Sequence, residues 1–259
     1  MTTPTLAAQL YTVRQFCQTS EDFAESMRKI RAIGYTAVQV SGIGPIPDAD
    51  VKRICDDNGL SICITHISPD RLWNETAAVI DQHRLWNCPN VAIGSMPGEY
   101  RDGEEGFKRF AREASAVGEK LAQAGLTFSY HNHSFELVRY GGRTGLDIVF
   151  EESDPRYLMA EIDTYWIQHG GGDPAAWIRR MKGRMPVVHL KDMQVTAEGW
   201  NVQQVMAEIG EGNLNWPAIL AACAEAGVRW YAVEQDITPG DPFDSLRISF
   251  QNLAKMGYR

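Results

Sequence analysis

The stretch FKRFAREASAVGEKLAQAGLTFSY, Phe107 to Tyr130, carries one full period of the pattern that decides the fold. Its first part, Phe107–Ala124, is an amphipathic segment that stops at Gly125, a helix stop signal. The run that follows directly, Leu126–Tyr130, is apolar and too short for a helix, so it reads as a buried strand. The same punctuation recurs on both sides. Glu21–Ile33 places Phe23, Met27, Ile30 and Ile33 at helical spacing, stops at Gly34 and precedes the run Ala37–Val40. Trp216–Ala226 opens with Asn215-Trp216-Pro217, stops at Gly227 and precedes Trp230–Val233.

Further short runs are Leu6–Tyr11, Ser61–Ile67, Asn90–Ile93, Tyr157–Ile162 and Met185–Leu190, several of them rich in Val and Ile. Eight strands alternating with about eight helices in 259 residues give about 32 residues per unit, the period of a βα repeat. The expected fold is a single (β/α)8 TIM barrel, α/β in class, with residues 1–259 as one domain. A doubly wound open sheet is the alternative. No strand leads into a GxGxxG or GxxxxGK[ST] loop, as many open-sheet nucleotide binders require, and Ser41-Gly42-Ile43-Gly44 runs into prolines. The glycine pairs and triplets at Gly141-Gly142 and Gly170-Gly171-Gly172 read as βα loops that approach a ligand or turn tightly.

Composition narrows the function classes. With 44% hydrophobic and 22% charged residues the chain is globular, and its net charge of −8 speaks against a general nucleic-acid binder. No apolar run is long enough to span a membrane, and the first ten residues lack the basic start and apolar stretch of a secretory signal. The five cysteines are scattered and odd in number, without CxxC spacing, which argues against a zinc knuckle or a disulfide framework and fits a reducing, cytoplasmic setting.

The polar residues collect where strands end, which in a barrel is the active-site face. The ends offer Tyr11 with Arg14; Gln39 and Ser41; His66; His131, Asn132 and His133 with Glu136; Glu161, Asp163 and Trp166; His189, Lys191 and Asp192; Glu234 and Asp236. Four of the six histidines are in that set. Imidazoles combined with carboxylates suit Mn, Zn, Co or Fe, whereas an all-oxygen set would favour Mg or Ca. His131, Asp163, His189 and Glu234, from four successive strands, are the expected ligands of one divalent ion. On the strand His131 shares a face with Ser129, small enough for the crowded interior, while His133 lies past the strand end, nearer a substrate.

The segments Tyr130-His131-Asn132-His133-Ser134-Phe135-Glu136, Glu161-Ile162-Asp163-Thr164-Tyr165-Trp166, His189-Leu190-Lys191-Asp192-Met193 and Val233-Glu234-Gln235-Asp236 resemble the xylose isomerase-like TIM-barrel superfamily. With Gln9-Leu10-Tyr11-Thr12-Val13-Arg14 and Gly210-Glu211-Gly212 before Trp216-Pro217, they are most similar to its sugar phosphate isomerase/epimerase branch. The resemblance runs nearly end to end. It implies a divalent metal held by Glu, Asp, His and Glu from strands five to eight, with Asp163, His189 and Glu234 on the last three positions. At the first, where relatives have Glu-Asn, this chain has His131-Asn132. Either His131 or His133 takes that place, or three residues and water hold the ion. In ketose 3-epimerase relatives the two metal-bound glutamates also act as acid and base, and one is lost here. Endonuclease IV relatives carry a metal-binding His where Trp166 stands, which argues against a three-metal DNA-repair site.

The expected activity is metal-dependent isomerisation or epimerisation of a sugar, sugar phosphate or cyclitol, begun by proton abstraction next to a carbonyl. Elimination from a keto-sugar, keto-glycoside or inosose shares that first step and is the alternative; a non-catalytic sugar-binding barrel is a second. Glu234, Lys191 and His66 are the expected acid/base groups, with Lys191 brought down in pKa by burial and by the cation, or else paired with Asp192 or Glu161. Glu136, His133, Tyr11 and Trp166 are the expected substrate contacts. The expected partner is a small carbohydrate, not a nucleic acid or membrane; a barrel of this type can also form a homodimer, though no patch in the sequence proves one.

Overall fold

Residues 4–258 are described by a computed structural model. All eight expected strands form. They are β1 (Thr5–Gln9), β2 (Ala37–Val40), β3 (Ser61–His66), β4 (Asn90–Ile93), β5 (Thr127–His131), β6 (Met159–Glu161), β7 (Val187–Leu190) and β8 (Trp230–Val233). They pair in the order β6-β5-β4-β3-β2-β1-β8-β7, all parallel. The two ends meet through an Asp163–His189 bridge and the bond from the His189 amide to the Ile162 carbonyl at 3.0 Å, which closes the sheet into a TIM barrel.

Helices fill the crossovers: α1 (Ser20–Ile33), α2 (Asp48–Asp57), α3 (Thr76–Trp86), α4 (Glu104–Gln123), α5 (Gly145–Glu152), α6 (Pro174–Arg180), α7 (Trp216–Ala226) and α8 (Pro242–Lys255). The expected stop residues Gly34, Gly125 and Gly227 have φ of +128°, +80° and +77°, the region where a side chain is strained. Outward-facing strand residues pack on this ring; Tyr130 of β5 meets Phe110 of α4 with ring centroids 5.0 Å apart.

Alternation along the strands sets the site. Inside the barrel Ala7, Ala37, Ile64, Ala92, Val187 and Ala232 form an apolar floor. Two residues further along the same strands, on the same face, stand Gln9, Gln39, His66, Gly94, His189 and Glu234. Ser129 and His131 follow the same parity on β5, and Glu161 at the end of β6 and Asp163 just past it do likewise. One layer of small side chains thus carries one layer of polar ones, and that second layer is the site.

Of the two readings of the glycine-rich spots, the tight turn holds: Gly141-Gly142 makes the tip of a small hairpin (Arg139–Tyr140 with Arg143–Thr144), Gly141 and Gly171 have φ of +63° and +82°, and neither spot lines the central cavity. Two expectations need correction. β1 ends at Gln9, not Tyr11, because the Gln9 side chain accepts the Tyr11 amide at 2.7 Å and turns the chain into a short 3-10 segment, Leu10–Phe16. Asp192 belongs to an unforeseen hairpin, Asp192–Glu198 with Asn201–Ala207, and its buried carboxylate accepts from the amides of Gly210, Gly212 and Leu214 and from the Trp216 indole. It brackets the segment 210–216 rather than serving the site.

The five cysteines are all buried and unpaired. Among the described residues no helix is long and apolar enough to cross a membrane.

One buried histidine outside the site gives a stability prediction. His83 donates from Nδ1 to the Val79 carbonyl at 2.7 Å and accepts at Nε2 from the Thr65 hydroxyl at 2.8 Å. Burial lowers its pKa from 6.5 to about 4. The native value lies below the unfolded one, so this contribution is fully present above pH 6.5 and is lost as pH falls towards 4. In urea titrations at pH 7 and 4.5, His83→Gln is expected to lose roughly 2–3 kcal/mol less stability than the parent chain on acidification. Equal losses would show that His83 does not titrate as described.

Candidate metal centre and the cavity above it

The four expected ligands converge. Each turns one atom inward: His131 Nε2, Asp163 Oδ2, His189 Nδ1 and Glu234 Oε2. One ligand atom from each residue can be chosen so that all lie within 4.8 Å of one another. Nearest separations are 2.9 Å from His189 to Glu234, 3.1 Å from His131 to Asp163 and 3.9 Å from His189 to Asp163. Donors about 2.1 Å from a common ion stand about 3.0–3.4 Å apart, so the spacing suits a small divalent cation.

The second atom of each group is tied down. His131 Nδ1 donates to the Gly94 carbonyl at 2.9 Å, which leaves Nε2 with its lone pair. His189 Nε2 donates to Gln39 Oε1 at 2.7 Å, which turns Nδ1 to Glu234. Asp163 Oδ1 accepts the Trp166 amide at 2.8 Å and caps the short helix Thr164–His169. Glu234 Oε1 accepts from Gln9 Nε2 at 2.9 Å. Burial disfavours the His189 cation, but Glu161 and Glu234 outweigh it and raise its pKa to about 10, so an ion would have to displace the proton shared between Nδ1 and Glu234 before that nitrogen could act as a ligand. The orienting amides Gln9 and Gln39 were not assigned a role from sequence, although polar residues at inward positions of apolar strands were the available signal.

His131, not His133, turns inward beside Asp163, His189 and Glu234. His133 lies at the cavity wall with its ring 5.1 Å from that of Trp166, and burial lowers its pKa to about 3, so it is neutral.

Lys191 is buried, and its Nζ stands 2.7 Å from Glu234, 3.1 Å from Asp163 and 3.2 Å from Asp236. Burial disfavours the ammonium, but the three carboxylates outweigh it and raise its pKa. The expected partners Asp192 and Glu161 are thus replaced by these three, and the expected fall in pKa is a rise. Asp236 is pushed up to about 6, by burial and by Glu234.

Glu161 has another task. It holds His66 Nε2 at 2.8 Å through one oxygen and approaches His189 Nε2 at 3.0 Å through the other, which also accepts from Gln39. Burial would raise its pKa, but the two histidines hold it down. His66 is lowered in pKa by burial against the pull of Glu161. Its Nε2–H faces a carboxylate, so Nδ1 is unprotonated and meets only Ser41 Oγ, at 3.5 Å. Gly94 makes room: a Cβ there would stand 2.8 Å from His66 Nδ1.

Above these groups lies a cavity of about 410 Å³, lined by Tyr11, His66, His131, His133, Lys191 and Glu234 among others. Tyr11 is at its mouth, 37% exposed, under the Arg14 guanidinium. Trp166 is behind His133 and outside the lining. Glu136 is also outside it, fully buried, accepting from the Tyr130 hydroxyl and from the His133 amide at 3.0 Å. It fixes the loop that carries His133, and the structure does not bring it to the cavity as a substrate contact.

Known proteins share this architecture. The rhizopine catabolism protein MocC of Rhizobium meliloti is 26% identical over 90% of this chain and 81% of its own. The inosose dehydratase of Geobacillus thermodenitrificans is 22% identical over 86% and 85%. A solved sugar phosphate isomerase/epimerase from Parabacteroides distasonis superposes with a TM-score of 0.82 at 23% identity, over 98% of this chain and 94% of that one. Residues 27–255 match the family described as the xylose isomerase-like TIM barrel, and the chain belongs to that family.

Proposed function

We propose that the protein is a divalent-metal-dependent lyase that eliminates water from a cyclic polyhydroxylated ketone of the inosose class. The observation that carries this reading is the unlikeness of the groups around the ion site. A neutral His66 oriented by Glu161 stands in one place, and the Lys191–Asp236 pair stands in another. Elimination needs a base for the C–H and a different donor for the departing hydroxyl, whereas epimerisation between two faces is served by two like bases. The relative named inosose dehydratase supports the same direction.

His131, Asp163, His189 and Glu234 would hold the ion. When bound, a divalent cation supplies Lewis-acid polarisation of a carbonyl and its neighbouring hydroxyl, which acidifies the adjacent C–H. His66 Nδ1 takes that proton, and Glu161 stabilises the imidazolium that results. The electron pair left on carbon forms the C=C bond as the β-hydroxyl departs. That hydroxyl leaves as water with a proton from the Lys191–Asp236 pair. His133, neutral and at the wall, accepts or donates one hydrogen bond to a ring hydroxyl.

Incubation of the Mn-loaded protein with inososes and ketoses, followed by NMR, tests the reading. Loss of one water, abolished by EDTA and restored by Mn, is expected. An epimer or an aldose–ketose isomer with no water lost would overturn the elimination in favour of the isomerase reading, and no turnover of any substrate would favour a binding barrel.

Gly94→Ala gives a finer test of His66. The added methyl pushes the imidazole aside, and misplacement of a base by about 1 Å costs on the order of 100-fold in kcat. Metal occupancy is expected to persist. Undiminished kcat would remove His66 as the base.

A further inference from the structure

A second hollow, of about 600 Å³, opens beside the first, between the loops that follow β3 and β4. Ser68, Pro69 and Ser95 line both, so the two hollows adjoin, a polar one over His131 and Glu234 and a larger one outside it. The outer walls are Pro69, Trp73, Met96, Pro97 and Tyr100. Trp73 is held from behind by Phe110 and Phe128, at ring separations of 6.3 and 6.4 Å, so its position is fixed by the core. Arg101, the cation of this groove, is tied to Ser95 Oγ and the Met96 carbonyl and lies over the Phe135 ring at 3.9 Å. Asp70 and Glu99 stand at the rim, both exposed.

We propose that this outer groove is a second subsite, occupied by an uncharged ring joined through an oxygen to the ring that reacts: the aromatic or sugar substituent of a glycoside-like substrate. The inference rests on the cavity above the ion site being the place of reaction. The volume argues for it, because a single six-membered ring is accommodated by the inner cavity and leaves the larger outer part unfilled. The chemistry argues for the class of occupant. Aromatic and proline faces suit the C–H face of a sugar or an aryl ring, and two rim carboxylates against one committed guanidinium disfavour a phosphate there.

Gly98 provides the test. It lines the groove, and a Cβ placed on it meets nothing within 4 Å, so Gly98→Leu adds bulk at the groove without a clash with the core. Calorimetric titration of the Mn-loaded protein with phenyl β-D-glucoside and methyl β-D-glucoside reads the subsite without any turnover. Phenyl is expected to bind at least tenfold tighter than methyl, and Gly98→Leu to abolish that difference while methyl binding is unchanged. Equal affinities in the parent chain, no binding of the phenyl compound, or a preference that survives Gly98→Leu would each overturn the proposal. Failure here with inosose dehydration intact rejects only the subsite; a tenfold preference with no dehydration rejects only the proposed reaction.

Discussion

Asp163→Asn is expected to deprive the protein of its metal while leaving the barrel folded. Oδ1 caps the Thr164–His169 helix and Oδ2 faces the ion site, so the two oxygens have separable duties. Asparagine keeps the capping oxygen and the volume but turns an amide NH2 towards His131 and Lys191, where no ligand remains. Shared over four ligands, the ~10–16 kcal/mol typical of a tight site gives about 2.5–4 kcal/mol for each, on the order of 100- to 1,000-fold in affinity. Calorimetric titration with Mn should show this loss. Saturating Mn at about 100 Kd stabilises the parent by about 2.7 kcal/mol, and that gain should vanish in the variant. Asp163→Ala should lose the metal and, in addition, about 1 kcal/mol of helix capping. Full metal occupancy in Asp163→Asn would refute the ligand set.

Glu161→Gln is expected to have the largest effect on turnover with the ion still bound. The Glu161 carboxylate fixes the tautomer of His66 and would balance the charge of the imidazolium formed during reaction. Glutamine can do the first in part and the second not at all. A fall in kcat of about 100- to 10,000-fold is expected, with KM little changed and metal affinity within about 100-fold of the parent. The pH profile gives a readout that a purely structural role would not move. In the parent the acid limb should lie below the ordinary histidine range, because burial lowers His66, and turnover falls only as pH drops through that lowered pKa. An unchanged kcat in the variant would mean that the His66–Glu161 pair takes no part in proton transfer.

The barrel was legible because its strands are nearly all apolar and its helices end at glycines. The clustering of His131, Asp163, His189 and Glu234 was legible for a related reason. A His or a carboxylate at the end of a run such as Trp230–Val233 has no ordinary reason to be there, so His189 and Glu234 stand out against their own strands. Gln39 was visible at its strand end but without a role, and Gln9 was not singled out, because their orientation of His189 and Glu234 depends on β1 and β2 lying beside distant strands. The choice between His131 and His133 depended on where β5 stops, and only the closed barrel settles which ring turns inward. The reach of Lys191 was misread because charge balance in the interior is a sum over β6, β7 and β8 rather than a property of neighbours such as Asp192. The hairpin Asp192–Ala207 escaped notice because most of its residues are exposed on both faces, with Trp200 fully so, and no buried face imposes an apolar alternation.

The most direct measurement follows the hydrogen next to the substrate carbonyl. An inosose carrying deuterium at that carbon is given to the Mn-loaded protein in ordinary water, and product and rate are compared with the unlabelled compound. Loss of the label to solvent, with a primary isotope effect on kcat/KM, is the expected result. Conversion with the label fully retained and no isotope effect would contradict proton abstraction next to the carbonyl, and with it the role given to His66 and the ion site.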